Sequence, residues 1–568
     1  MTARTTKLAM IAALIAAFAC ITAPPSIAAE KEAAAKSTVA KKPLAARTKA
    51  MSRENESLCM TGTSAQVAAA LQAGTLTVTE KDEKGFSALA LAAYNPDPEV
   101  TRALIAAGAD ANDTISEGFT VLMAASSYSR DPEVVNALIT AGARVNDKDD
   151  NGITPLMWAA MNNPNPDMIT TLTRAKAKIS VKDHNGKTAL MWAAGANPNP
   201  DVISTLIKSK AKVNQKGKGG TTALMWAAQS NQNPDVITTL IGAGAKVDES
   251  DNSGATALSY AASYNQNPDI IKALFKAGAD VNEANAKGVT PLMLAATHNP
   301  NPDVLKALMR AGAKTKINDR DSSERTALML AAANCQNPEI ITTLIRYGAQ
   351  IDGTDRDGNT ALTLAAANNQ NPEVITALVK AGSDVDARVS AKHSASFTDD
   401  VLPALLAASA EILEGIRNIS FGVYKPAHDE DEEDRRSGGW TALMYAASSN
   451  RNPEVVTALA RSGADVNARD LSGNTALMWG ATNNQNPEII AALLGAGANV
   501  NERGQNDQTA LMCAAYNNPN PEIVTALLKA GAEADVEDAF GRRAIDYAAE
   551  NENLKDTDAY WQLNDASF

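Results

Sequence analysis

Asp147-Lys-Asp-Asp-Asn-Gly152 has the acid, amide and glycine spacing that opens a calcium-binding loop. Such a loop closes with a bidentate glutamate at its twelfth position. Here that position is Trp158, so the segment reads as a turn in which Asp, Asn and Gly serve the backbone. The only histidines are His184, His298, His393 and His428, and no two of them have ligand spacing. Lys216-Gly-Lys-Gly-Gly220 lacks the Gly-x4-Gly-Lys-Ser/Thr order that cradles phosphate. No Ser/His/Asp or Cys/His arrangement can be assembled without inventing proximity. The expectation is a chain with no catalytic residues, no cofactor and no metal.

The elements that carry these residues repeat. Thr188-Ala-Leu-Met-Trp-Ala-Ala194 returns as Thr222-Ala-Leu-Met-Trp-Ala-Ala228, with close copies at Thr154, Thr326, Thr441 and Thr475. The threonines at 120, 154, 188, 222, 256 and 290 lie 34 residues apart. A fixed period of this size marks a solenoid, in which each repeat packs only on its neighbours. A solenoid offers a long surface rather than an enclosed pocket, which points to binding.

Residues 186–219 define one unit. The sequence predicts a short helix over 188–196, packed through Leu190, Trp192, Ala193 and Ala194. A turn follows at Asn197-Pro-Asn-Pro-Asp201. A second helix passes through Val202-Ile-Ser-Thr-Leu-Ile207, with apolar residues at i, i+1, i+4 and i+5. An extended exit, Ala211-Lys-Val-Asn214, leads to the next glycine. Asn199 suits the N-cap, Pro200 the first helical position, and Asp201 the positive end of the helix dipole. Asn197, two residues earlier, reads as helix punctuation, because asparagine tolerates the left-handed conformation that ends a helix; a ligand-binding asparagine ladder is the rival reading. The Trp158, Trp192, Trp226 series alternates with Leu294, Leu330 and Leu364, which favours a packed ladder over a sugar-stacking surface. Each helix is roughly 9 residues, shorter than isolated helices that persist in water, so stacking must supply the stability.

This unit resembles the ankyrin repeat. The family motif Thr-Pro-Leu-His-x-Ala maps onto Thr154-Pro-Leu-Met-Trp-Ala159 and Thr290-Pro-Leu-Met-Leu-Ala295. The exits Gly278-Ala-Asp-Val-Asn282 and Gly463-Ala-Asp-Val-Asn467 look like the family's hairpin entry. The resemblance implies an all-α repeat solenoid of stacked helix–turn–helix units with β-hairpin-like loops. The chain departs from the family in two ways: methionine replaces the motif histidine in most copies, predicting apolar contact there, and the period is 34 rather than 33. The flavour is that of bacterial exported ankyrin proteins.

The resulting organisation is a signal peptide at 1–28, an Ala/Lys-rich linker at 29–56 and an N-terminal capping repeat at 57–85. Repeats 1–9 follow at 86–389, then an insertion at 390–438, repeats 10–12 at 439–541 and a C-terminal capping repeat at 542–568. In that last repeat Asp546 takes the methionine position, as suits an end that faces water. Arg4, Lys7, the apolar run Leu8–Ile21 and Ser26-Ile-Ala28 carry the signal reading. Periplasmic or secreted localisation follows from it, with a lipoprotein anchored through Cys20 as the alternative. The net charge is −13. Cleavage after Ala28 would remove two cations and no acid, giving −15. That argues against nucleic acid and anionic lipid as main partners and favours solubility or a basic partner. Cys59, Cys335 and Cys513 sit several repeats apart, beyond the roughly 7 Å that a disulfide spans, so no intrachain disulfide is expected. No other apolar stretch is long enough to cross a membrane, and the chain is expected to be a monomer.

The regularity breaks once. Thr360 and Thr441 are 81 residues apart, and the extra material holds a predicted amphipathic helix, 399–417, and the acidic run Asp429–Asp434. It reads as a tolerated surface loop, a partner-docking finger or a weak divalent-cation binder. In ankyrin arrays, hairpin tips and first-helix ends line a concave side. The resemblance therefore nominates His184, Lys187, Gln229, Ser230, Tyr264, His298, Arg325, Trp440 and Tyr516 as partner-binding residues, several of them of types that make hot spots. The functional expectation is an exported, non-catalytic scaffold that binds a partner protein. The alternatives are a secreted effector binding a host protein and an enzyme whose site the insertion completes.

Overall fold

The computed structural model of the chain describes residues 51–389 and 438–567. The expected signal peptide, Cys20, the linker up to residue 50, the 399–417 helix, the acidic run, His393 and His428 lie outside the described residues.

Among the described residues there are helices and tight loops but no extended strands; two isolated antiparallel bridges, Lys81 with Ser87 and Thr114 with Thr120, mark hairpins. The helices come in pairs. In repeat 4 the first is Ala189–Ala196 and the second Pro200–Lys208. First helices pack on first helices of adjacent repeats, and second on second.

The first helix starts because Thr188 accepts the Met191 backbone N–H at 3.3 Å. The Thr188 N–H in turn donates to the Met191 sulfur at 3.4 Å. The methionine expected to make only apolar contact therefore also closes a capping box, using sulfur as a weak acceptor. The same pair forms at Thr120, Thr222, Thr290, Thr326 and Thr441. The second helix starts at Asn199, whose side chain accepts from the Asp201 N–H at 3.0 Å, with Pro200 in the first turn. Val202, Ile203 and Leu206 are buried, whereas Ile207 is half-buried at the rim.

Asn197 does not adopt the left-handed conformation expected of it. Its φ is −89° and ψ 121°, and it is buried. Its amide donates to Ala160 O at 3.0 Å and Asn163 O at 2.8 Å, both in the preceding repeat, and its oxygen accepts from the Asn199 N–H at 3.0 Å. Asn231, Asn265, Asn299, Asn369, Asn450, Asn484 and Asn518 repeat this arrangement. The asparagine column is thus a structural ladder that satisfies the exposed carbonyls of each first helix with the next repeat's side chain. Two rungs differ: Ser129 bonds locally to Asp131 O at 3.1 Å, and Cys335 reaches only Asn337 O at 3.9 Å.

Two more helix pairs flank the twelve repeats. Arg53–Thr61 and Ser64–Gln72 form the N-terminal one, with Thr63 capping as a Thr–Gln box. The first of these helices spans the linker-to-cap boundary placed at 56/57. Ala544–Ala548 and Asp558–Ala566 form the C-terminal pair; there Asp546 is exposed and accepts from the Arg543 N–H at 2.7 Å.

Candidate protein-interaction face

In repeats 1, 3, 4, 6, 8, 9 and 11 the hairpin that precedes the first helix is built on one aspartate. Asp183 Oδ1 accepts from the Lys187 N–H at 2.7 Å, and Gly186 turns the chain at φ +75°. The other oxygen, Oδ2, accepts from the Trp192 indole at 2.9 Å. Trp158 with Asp149 (3.0 Å), Tyr260 with Asp251 (2.8 Å) and Trp479 with Asp470 (2.9 Å) repeat the pairing. The calcium-loop look-alike is this hairpin. Both oxygens of Asp149 are engaged, one with the Asn151 and Ile153 N–H groups and the other with Trp158, the residue standing where calcium would need glutamate.

The pairing fixes Trp158, Trp192, Tyr260 and Trp479 in a series of aromatic rings beside the hairpin tips. Trp158 is buried, but Trp192, Trp226, Tyr260, Tyr445 and Trp479 are half-buried. The tryptophan ladder is therefore core at Trp158 and part of the accessible face further along. In repeat 5, Gly217 stands where the aspartate would be, and the Trp226 indole N–H is buried with no partner.

The nominated residues lie along this face, repeat by repeat. His184 is an exposed hairpin tip whose N–H donates to Asn151 O of the preceding tip at 3.0 Å. Lys187 sits over two indoles, 4.3 Å from the Trp192 ring and 3.6 Å from that of Trp226. Gln229 is half-buried and Ser230 exposed at the end of a first helix. Tyr264 is 41% exposed, and its ring centroid lies 6.4 Å from Tyr260 and 6.5 Å from His298. His298 is exposed at the end of its helix, yet partial desolvation by its neighbours lowers its imidazole pKa. Arg325 is engaged by the hairpin aspartate, with Nε 3.0 Å from Asp321 Oδ2. Trp440 is half-buried, 4.4 Å from Trp479 and 5.1 Å from Tyr445 by ring centroids, and its indole N–H is buried without a partner. Tyr516 is 52% exposed and meets Tyr547 edge-on at 5.4 Å. The structure thus brings together Tyr264 with His298, and Trp440 with Tyr445 and Trp479; His184 and Tyr516 are far apart along the stack.

Sequence reasoning missed several members of the same face. Tyr94, just past the first helix of repeat 1, and Tyr128, the last residue of that of repeat 2, stack at 5.2 Å. Leu471 and Phe540 are hairpin-tip residues, 69% and 65% exposed. Their signal was available: each is a large apolar residue one or two positions after a hairpin aspartate.

The insertion leaves and re-enters at a hairpin. The Val389 N–H donates to Trp440 O at 3.1 Å and the Gly439 N–H to Val389 O at 2.8 Å. Asn450 still reaches back to Ala366 O and Asn369 O, so the ladder continues past it. Repeats 9 and 10 stack as any other pair, through their first and second helices.

Two open surface depressions, of about 460 Å³ beside Glu54 and Gln66 and about 540 Å³ beside Pro372 and Arg461, include none of the nominated residues. No group of three or more His, Cys, Asp or Glu among the described residues is placed to hold a metal, and no described helix is long and apolar enough to cross a membrane. The three described cysteines are free.

A family model for ankyrin repeats (three copies) matches residues 59–149, 122–217, 156–251, 194–285, 224–319, 292–389, 404–504 and 477–558. The chain belongs to the ankyrin-repeat family, whose repeats serve as protein-interaction modules. No curated protein matches it.

Proposed function

We propose that this chain is an exported, non-catalytic scaffold that holds a partner protein against the face formed by its hairpin tips and first-helix ends. The observation that carries the reading is the series of half-buried aromatic rings beside the hairpin tips, of which Trp192, Tyr260 and Trp479 are held by hairpin aspartates. Rigid aromatic side chains set beside polar tips have the composition of binding hot spots. Backbone groups at the tips are engaged within the repeats, as the Lys187 N–H is with Asp183 and the His184 N–H with Asn151 O, which favours contact through side chains. The insertion, with its acidic run and apolar stretch, is a second docking element in this reading.

Export to the periplasm or exterior rests on the sequence of residues 1–28: a basic start, a short apolar run and a small-residue cleavage site. Intact-mass analysis of the protein from the envelope or medium tests it; a mature chain starting at Ala29 is expected, and a full-length chain confined to the cytoplasm would refute it. Partner binding is tested by capture from the same fraction with the chain and with a version lacking 390–438. A partner lost with the insertion assigns docking to that segment, and one retained assigns it to the aromatic face. No partner in either case would refute the scaffold reading.

A further inference from the structure

The protein's overall acidity hides an island of the opposite sign. Between residues 174 and 218 there are ten Lys and Arg and two acids, Asp183 and Asp201. Nine of the ten cations are exposed: Arg174, Lys176, Lys178 and Lys182 in one repeat, their counterparts Lys208, Lys210, Lys212 and Lys216 in the next, and Lys218. Asp183 is buried under Trp192, and Asp201 lies at the opposite end of its helix from Lys208. Among the described residues Arg174, Lys176, Lys178, Lys208, Lys210, Lys212 and Lys218 form no ion pair; Lys216 pairs with Glu249 at 2.7 Å. The flanking stretches are acidic: residues 142–173 hold four acids to two cations, and 221–254 four acids to one.

Two of these lysines sit where the fold prefers glycine. Lys176 and Lys210 have φ of +67° and +73°, and the matching positions Gly142, Gly244 and Gly278 lie between +88° and +96°. A side chain there strains the backbone, so these two repeats carry charge at positions that favour its absence. The exit that bears Lys176 and Lys178 is also fixed: Asn146 donates to Lys176 O at 3.3 Å and accepts from the Lys178 N–H at 2.8 Å.

We infer that this edge of repeats 3–5 binds an extended, Asp/Glu-rich segment of a partner protein. The inference rests on the scaffold reading and names the chemistry of its partner. Successive repeats are about 8–10 Å apart, and an extended chain advances about 3.3 Å per residue, so residues three apart in such a segment would meet Lys176 with Lys178 and then Lys210 with Lys212. The island is local, and salt confines its field to roughly 8 Å. An anionic membrane or a nucleic acid would also face the acidic stretches on either side, whereas a short acidic segment would not.

The probe is a labelled ten-residue oligoglutamate followed by fluorescence anisotropy with the full-length chain. The test variant carries Lys176→Gly, Lys210→Gly, Lys178→Gln and Lys212→Gln. The control carries Lys276→Gln, Lys314→Gln, Lys380→Gln and Arg461→Gln, removing four exposed cations elsewhere. Wild type should bind, the control should stay within about two-fold and the test variant should weaken by about ten-fold or more, while vesicles containing anionic lipid should not bind. Equal affinity in test variant and wild type, or no binding by wild type, would overturn the inference. Vesicle binding abolished by the test variant would also overturn it, in favour of a lipid surface. A partner captured equally by wild type and test variant would remove the acidic-segment assignment and leave the scaffold reading intact.

Discussion

Asn265 is buried and donates its amide to the main-chain carbonyl of Asn231 at 2.8 Å, across a repeat boundary. A second bond from the same amide reaches Ala228 O at 3.0 Å. Replacing Asn265 with Ala strands two buried carbonyls of the preceding repeat. At about 1–3 kcal/mol for an unsatisfied buried group, Asn265→Ala should destabilise the array by about 2–3 kcal/mol in urea unfolding. A loss no larger than that of an exposed substitution such as Ser230→Ala would remove the ladder from the account of stability.

Cys335 occupies a ladder position without supplying its rungs. Cys335→Asn should add amide bonds toward Ala296 O and Asn299 O and stabilise by about 1 kcal/mol. Burial raises the Cys335 thiol pKa, so the native protein should resist alkylation there near neutral pH, unlike the unfolded chain. Rapid labelling of Cys335 in the folded protein would contradict its placement.

Lys176→Gly and Lys210→Gly should each raise stability, because glycine takes φ near +70° without a Cβ clash. Relief of left-handed strain is worth about 1 kcal/mol, partly offset by the entropy of the freer unfolded chain. A thermal melt reads the sign directly; a lower melting temperature would show that the lysine side chains contribute to packing after all.

His298 should titrate below the ordinary histidine range, as partial desolvation disfavours the imidazolium. Because its folded pKa is depressed, its contribution to stability is complete above the unfolded value of about 6.5 and is lost as pH falls through the folded value. Tyr264→Ala, which removes the ring 6.5 Å away, should move the NMR titration midpoint upward. A midpoint unmoved by that change would exclude the Tyr264 ring as the source of desolvation.

The repeat, the helix pairs and the caps at Thr188 and Asn199 were legible because they depend on residues close in sequence. Asn197 was legible as a helix stop but not as a rung, since its partners lie 34 and 37 residues back. The Met191 cap was missed because sulfur was counted as apolar. Arg325 looked like an available tip residue from its type alone; its engagement with Asp321 depends on hairpin curvature. The aromatic face was half-legible: Tyr264 and Tyr516 stood out as irregular, whereas Trp192 and Trp226 were assigned to the core because exposure cannot be read from a repeated motif.

The most direct test of the scaffold account is size-exclusion chromatography with light scattering of the chain mixed with its captured partner. It would be run beside a variant carrying Tyr264→Ala, His298→Ala and Tyr516→Ala. The account predicts a defined complex for the wild-type chain and loss of that complex in the variant, with the circular dichroism unchanged. A complex that survives all three substitutions would contradict binding through this face.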